Sequence, residues 1–366
     1  MRRITYMRLC YRLIAVTLIG GIVSACIDRI EFPLKKDIKQ LVVYGQLTNL
    51  EEPHYLYLSE TFSGSNNPII VNGVLITSAL PTPVKGAQVT LYDDQGNQFP
   101  YRETEAGKYE LQVLTQAMPG VNYRVRIEKA DQIYESFPQQ LPPSLGADSA
   151  YYEITEDVFP SKNKKRLTHL LNVYAKTTLP ETEVYLRWVV DEVYFWELTF
   201  FPNPFNKPPP DCYVFSKADP QRITLFNNAG MNSRTITNQV ASREIDASFK
   251  NRHYFIVRQL SMNKDNYRYW NQVKQLIGNT GSVFDTPPAP ISSNLVNLSD
   301  KAENVLGYFE VNRVTETRFF VVRGYIPYYL EPYCEYDYRK PYDEYPEECI
   351  TCSKFPNSTG IPPPWF

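Results

Sequence analysis

From Pro83 to Leu111 apolar and polar residues take turns, with Ala87, Val89 and Leu91 alternating with Gln88, Thr90 and Tyr92. A period of two puts successive side chains on opposite faces, which describes a half-buried strand. Asp93-Asp94-Gln95-Gly96-Asn97 reads as the turn that follows, because Asp and Asn bond nearby backbone and Gly96 is free to take positive φ. Leu41-Val42-Val43-Tyr44-Gly45 and Tyr55-Leu56-Tyr57-Leu58 precede this stretch, and Tyr109-Glu110-Leu111 and Tyr123 to Ile127 continue it. Short strands about ten residues apart, with turns between them, predict a sandwich. The 28 tyrosines favour strands and the 29 prolines keep them short. The expected fold class is mainly β, opening with an immunoglobulin-like or transthyretin-like β-sandwich over 38–142. Pro138 to Gly146 reads as the linker out of it.

A second β-rich domain is expected over 143–366, since a body of this length exceeds one ordinary core. Its strand signals are Leu170 to Thr177, Val184 to Val193, Tyr254 to Leu260, Val305 to Val311 and Arg318 to Arg323. One helix is predicted over 264–277, where Tyr267, Trp270, Val273 and Ile277 recur at helical spacing. Asn263 is placed to cap its start and Gly278 its end. Pro208-Pro209-Pro210, with Pro202 and Pro204, reads as an extended loop ahead of Cys212.

The first residues carry a different signal. Arg2, Arg3, Arg8 and Arg12 precede an apolar run from Leu13 to Val23, which ends in Val23-Ser24-Ala25-Cys26. The run is about eleven residues long, right for a secretion signal and too short to span a bilayer. Small residues directly before a cysteine form a bacterial lipobox. We therefore expect residues 1–25 to be removed, Cys26 to carry lipid, and 26–37 to tether the body to a membrane it does not cross. The removed piece holds four of the 38 Lys and Arg and none of the 40 acids. The mature body is therefore acidic, which argues against nucleic acid as a partner.

Cys212, Cys334, Cys349 and Cys352 remain after Cys26. Outside the cytoplasm an even number predicts disulfides, and all three pairings stay open. A zinc ribbon would want a second CxxC beside Cys349-x-x-Cys352, and a redox pair a βαβ setting; neither is present in the sequence.

In order along the chain stand Val84-x-Gly86-Ala87-x-Val89, Gly107-Lys108-Tyr109, Tyr185-x-Arg187-Trp188, Arg258-Gln259-Leu260-Ser261 and Tyr267-x-x-Trp270. Gly281-Ser282-Val283-Phe284-Asp285, Val305-Leu306-Gly307-Tyr308-Phe309, the CxxC and Pro364-Trp365-Phe366 complete the series. With the lipobox, this series resembles the domain-of-unknown-function family 4249, outer-membrane lipoproteins of the Bacteroidota. Val84 to Leu111 separately resembles the carboxypeptidase-regulatory-like module. The family resemblance implies a partner, a TonB-dependent barrel, because members are often encoded beside such receptors. It supplies no catalytic residues.

Nor do the residues themselves. The three histidines, His54, His169 and His253, sit in no HExxH, and there is no G-x-S-x-G or Gly-rich phosphate loop. No metal ligand set and no cofactor is expected. Tyr325, Tyr328, Tyr329, Tyr333, Tyr336 and Tyr338 crowd one segment. They read either as packing of a Pro-rich tail or as a partner surface, since tyrosine offers a rigid apolar face with a polar tip. Asp148-Ser149-Ala150 fits an acceptor pattern for O-glycosylation at Ser149. The functional expectation is a non-catalytic lipoprotein at the outer membrane, facing the cell exterior, that assists a TonB-dependent transporter in nutrient capture. A structural subunit of an envelope assembly or export complex, and a glycan or peptide hydrolase, are the alternatives.

Overall fold

The computed structural model describes residues 39–61, 69–71, 74–76, 81–145, 149–161, 164–202, 207–278, 291–330 and 333–366. The leader, the lipobox with Cys26, the tether and the Gly281 to Asp285 motif lie outside the described residues. The chain divides into two compact units. In the smaller, which takes Met1–Lys39 and Ser63–Thr77, the described strands Ile69–Val71 and Val74–Ile76 pair as an antiparallel hairpin. Everything below concerns the larger unit.

Its main strands begin with β1 (Leu41–Thr48), β2 (Tyr55–Glu60), β3 (Gln88–Asp93), β4 (Gln98–Glu105), β5 (Lys108–Leu111), β6 (Asn122–Lys129) and β7 (Gln132–Ser136). Then come β8 (Ser149–Ser161), β9 (Lys164–Thr178), β10 (Tyr185–Phe195), β11 (Tyr213–Lys217), β12 (Thr235–Glu244) and β13 (His253–Met262). Helix α1 (Lys264–Gly278) precedes β14 (Leu295–Asn297) and β15 (Leu306–Val321). The fold is mainly β, as the alternation predicts. Among the described residues no helix is long and apolar enough to cross a membrane.

Two layers share the first core. In one, β5, β2 and β1 run antiparallel; in the other, β3, β6 and β7 do. Strand β4 joins them, pairing with β3 through Gln98 to Pro100 and with β5 from Tyr101 onward. Leu41, Val43, Leu56, Leu58 and Tyr109 from one layer meet Val89, Leu91, Val125 and Ile127 from the other. The expected turn is there: Asp93 Oδ1 accepts from the Gln95 and Asn97 amides, and Gly96 has φ of +89°.

Strand pairing continues past residue 142. The short β14 extends the layer of β7, and β15 lies parallel to β1, from Val42 opposite Leu306 to Thr48 opposite Asn312. Close approach here needs glycine. Gly307 takes φ of +91°, and a Cβ on it would fall 1.8 Å from the Val43 carbonyl oxygen. From Arg313 onward β15 leaves β1 and pairs with β13. One continuous strand thus serves both sandwiches. The segment expected as a linker is also docked: Gln139 and Gln140 pair with β6, Leu141 is buried, and the Pro142 carbonyl accepts from Arg313.

The second core lies between the layer of β11, β10, β13 and β15 and the layer of β8, β9 and β12. Central β13 reads His-Tyr-Phe-Ile-Val-Arg-Gln-Leu-Ser-Met and is buried along nearly its whole length. A near-continuous apolar run of this kind marks a strand covered on both faces. Helix α1 spans the range its periodicity predicts, but its apolar stripe is buried unevenly, and Ile277 is exposed. The Asn263 side chain is spent on the Gln140 carbonyl rather than on a helix cap, while its own carbonyl accepts from the Tyr267 amide.

Candidate functional site

Two of the motifs in the series, those of Arg187 and Trp270, converge on Glu310, which directly follows a third, Val305 to Phe309. This carboxylate, on β15, is wholly buried. Oε1 accepts from Arg187 Nη2 on β10 at 3.0 Å and from the Tyr44 hydroxyl on β1 at 3.3 Å. Oε2 accepts from Asn266 Nδ2 and Trp270 Nε1 of α1 at 2.9 and 3.1 Å. The Arg187 guanidinium lies 3.7 Å from the centre of the Trp270 ring. Burial and the Glu310 charge push the Tyr44 hydroxyl up, so it stays a neutral donor. A carboxylate this enclosed and fully satisfied locks a helix and three strands together. It is a structural joint.

A second buried node has the look of chemistry. On it, His253 Nε2 lies 3.1 Å from Glu192 Oε2, and His253 Nδ1 lies 3.4 Å from Ser248 Oγ. The Ser248 hydroxyl, however, donates to Asp246 Oδ1 at 2.6 Å, so His253 has no proton to take from it. Phe249, Phe255 and Tyr194 stack on the imidazole at 4.1, 4.8 and 5.0 Å. The arrangement braces the core and does not arm a nucleophile. Burial pushes the Glu192 carboxyl up. The bonds from His253 and Ser216 and the Arg243 charge outweigh it and hold the group at about 2, against an ordinary 4.5. Burial pushes His253 below its ordinary 6.5 in spite of Glu192.

Both depressions act in one direction. Between its folded and unfolded pKa each group binds a proton only when the chain is unfolded, so acid removes stability that is present at neutral pH. The His253 part goes as pH falls below about 6.5 and the Glu192 part, about 3 kcal/mol, between about 4.5 and about 2. Urea midpoints should therefore fall steadily on acidification from about pH 7 to about pH 3. A level midpoint across that range would refute the account.

Beside this node opens a cleft of about 850 Å³. Its floor comes from Thr168 and His169 on β9, Tyr194 at the end of β10, and the turn from Glu244 to Ser248. The opposite wall is Tyr329 with the chain's tail, chiefly Tyr333, Glu348 and Phe355. Two disulfides, Cys212–Cys352 and Cys334–Cys349, pin that tail. Tyr333 and Glu348 each directly precede a bridged cysteine, and the Tyr333 hydroxyl donates to Glu348 at 2.7 Å. That bond and the burial penalty pull in opposite directions on Glu348, and the bond, the larger, keeps its carboxyl below the usual range. Trp196 closes the corner: its Nε1 donates to the Glu348 carbonyl, and its ring meets Tyr333, Phe355 and Tyr194 edge-on, at interplanar angles of 69°, 63° and 64°.

The predicted site residues divide. Tyr329, 78 % exposed, and Tyr333 enter the cleft; Tyr328 stacks on His169 at its border. Tyr336 packs edgewise on Phe201, Tyr338 is 81 % exposed with Arg339 over its ring, and Tyr325 is exposed. Ser149 is exposed as the first residue of β8, while Asp148 lies outside the described residues. Cys349 and Cys352 bond to distant partners and not to each other, so the CxxC is neither a redox pair nor a thiolate metal site. Among the described residues no group of three His, Cys, Asp or Glu side chains is placed to hold a metal ion. Sequence reasoning missed Tyr194, Trp196, Glu244 and Asp246, which come together only through the fold.

The model of a family described as a domain of unknown function, DUF4249, matches residues 27–318. The chain belongs to the DUF4249 family. Among curated proteins none matches it. The DUF4249 match takes in the Glu310 joint and the β9, β10 and 244–248 sides of the cleft. It ends ahead of Tyr329, Tyr333, the Cys334–Cys349 bridge and Cys352, while Cys212 lies within it, so in this DUF4249 protein the aromatic wall is built by chain beyond the matched residues.

Proposed function

We propose that this protein is a non-catalytic binding lipoprotein, held at the outer membrane through lipid on Cys26, that captures a ligand for a TonB-dependent barrel. The observation that carries the reading is the cleft, whose aromatic wall is fastened by two disulfides before any ligand arrives. A site organised in advance loses less freedom on binding. The apparent catalytic node beside it has its serine hydroxyl committed elsewhere, which favours binding over turnover. Tyr325, Tyr336 and Tyr338 lie outside the cleft and leave exposed aromatic surface for the barrel.

A mild-detergent pull-down through a C-terminal tag, read by mass spectrometry, tests the reading, with a Cys26→Ala form as control. A stoichiometric barrel receptor, lost in the control, is the expected result. Recovery of envelope assembly factors in its place would transfer the protein to the structural-subunit reading.

A further inference from the structure

We infer that a smaller cavity beside the Glu310 joint takes a neutral, hydroxyl-bearing molecule about the size of one sugar ring. This goes beyond the binding role proposed above, because the cavity shares no lining residue with the tail cleft.

The cavity measures about 260 Å³, and Tyr44 and Gln46 of β1, Arg187 of β10 and Trp270 of α1 help to line it. Two of these side chains have bonding capacity that the protein leaves unused. Arg187 is only 5 % exposed; its Nη2 donates to Glu310 at 3.0 Å, while its Nε is enclosed and has no partner among the described residues. A planar fork of N–H groups is thus answered by one carboxylate. Buried polar groups ordinarily find partners, and a charged donor left short is costly. Gln46 is half-buried and stands opposite Glu310 in the register of β1 with β15. Its amide makes no side-chain hydrogen bond among the described residues, so it is free both to donate and to accept. An occupant of the cavity would draw on both groups.

The remaining charges of the lining decide the class, because the protein has already paired them. Lys217 donates to Asp191 at 2.6 Å, and Arg258 donates to Glu52 and Glu316 at 3.1 and 2.9 Å. Asp219 accepts from the Ser242 amide at 3.1 Å and lies 3.8 Å from Arg222. A charged ligand would have to displace one of these partners or meet like charge. A hydroxyl both donates and accepts, which suits a wall where guanidinium, amide and carboxylate stand together. The rings of Tyr44 and Trp270 supply the apolar part of that wall. The volume lies just under the ~300 Å³ at which sites for drug-sized ligands begin, which limits the occupant to one small ring.

The test uses the full-length protein purified in mild detergent and followed by calorimetry and tryptophan fluorescence. Glucose and inositol serve as neutral probes, with glucuronate and protonated glucosamine as anionic and cationic probes of the same size. A neutral probe should bind at least about tenfold more tightly than either charged one. Raising salt from ~50 to ~500 mM should change its affinity by less than about twofold. Gln46→Ala breaks no side-chain bond within the protein and should weaken binding by about 3- to 10-fold at an unchanged melting temperature. Arg187→Lys keeps a positive charge beside Glu310 but loses the fork, and should weaken binding at least about tenfold. If Arg187→Lys does not fold, Gln46→Ala carries the test. Tighter binding of a charged probe, a strong salt dependence, or an affinity unmoved by Gln46→Ala would overturn the inference. So would no binding by any probe at tens of millimolar, since water alone would then fill the cavity.

Discussion

Replacing Glu310 with leucine should lower the stability of the folded protein by about 3 to 5 kcal/mol, the cost of leaving a buried charge without its partner. The carboxylate accepts from Arg187, Tyr44, Asn266 and Trp270, and of these Arg187 and Asn266 are buried away from solvent. The loss should fall on α1 first, because Asn266 and Trp270 of the helix both donate to this carboxylate. The double replacement Arg187→Leu with Glu310→Leu removes both charges, and should recover a large part of the single loss, since a buried pair exchanged for apolar groups is often nearly neutral. Urea denaturation followed by tryptophan fluorescence reads both variants. A single-variant loss below about 1 kcal/mol would show that the joint does not hold the helix.

Removing Cys212–Cys352 by paired serine substitution should cost up to about 5 kcal/mol, and removing Cys334–Cys349 up to about 3 kcal/mol. The difference follows from loop length, a separation of 140 residues against one of 15. The longer cross-link withholds more freedom from the unfolded chain. The shorter bridge has the greater local consequence, for it holds Tyr333 and Glu348 at the cleft wall. Cys334→Ser with Cys349→Ser should therefore cut ligand affinity more than Cys212→Ser with Cys352→Ser, although it destabilises less. Equal stability losses from the two bridges, or an unchanged cleft after loss of the shorter one, would contradict this ordering.

Much of the architecture was legible because its signals are local. Ala87, Val89 and Leu91 alternate, Asp93 to Asn97 closes a turn through its own side chains, and the helical spacing from Tyr267 to Ile277 marks α1. Each depends on residues within a few positions, which is the range over which a pattern carries information. The domain boundary was less legible. Alternation shows that a strand has an inner face but not which strand lies beside it, and β15 is long enough to pair with β1 and then β13. The cleft was legible in part: the tyrosines announced a surface, and the cysteines a pinned tail.

Strand content, the helix over 264–278, the turn at Gly96 and membership of DUF4249 follow from the order of residues alone. Which cysteines bond, which tyrosines share a cleft and which carboxylates face them were decided by tertiary structure. Thr168, Tyr194, Asp246, Tyr329 and Glu348 are far apart in the chain, and nothing in one segment specifies the distance to another. Glu310 shows the same division: its neighbours mark it only as one more charged residue in a strand. Burial against Arg187, Asn266 and Trp270 turns it into a joint, because a charge removed from water must be answered by groups the fold brings to it.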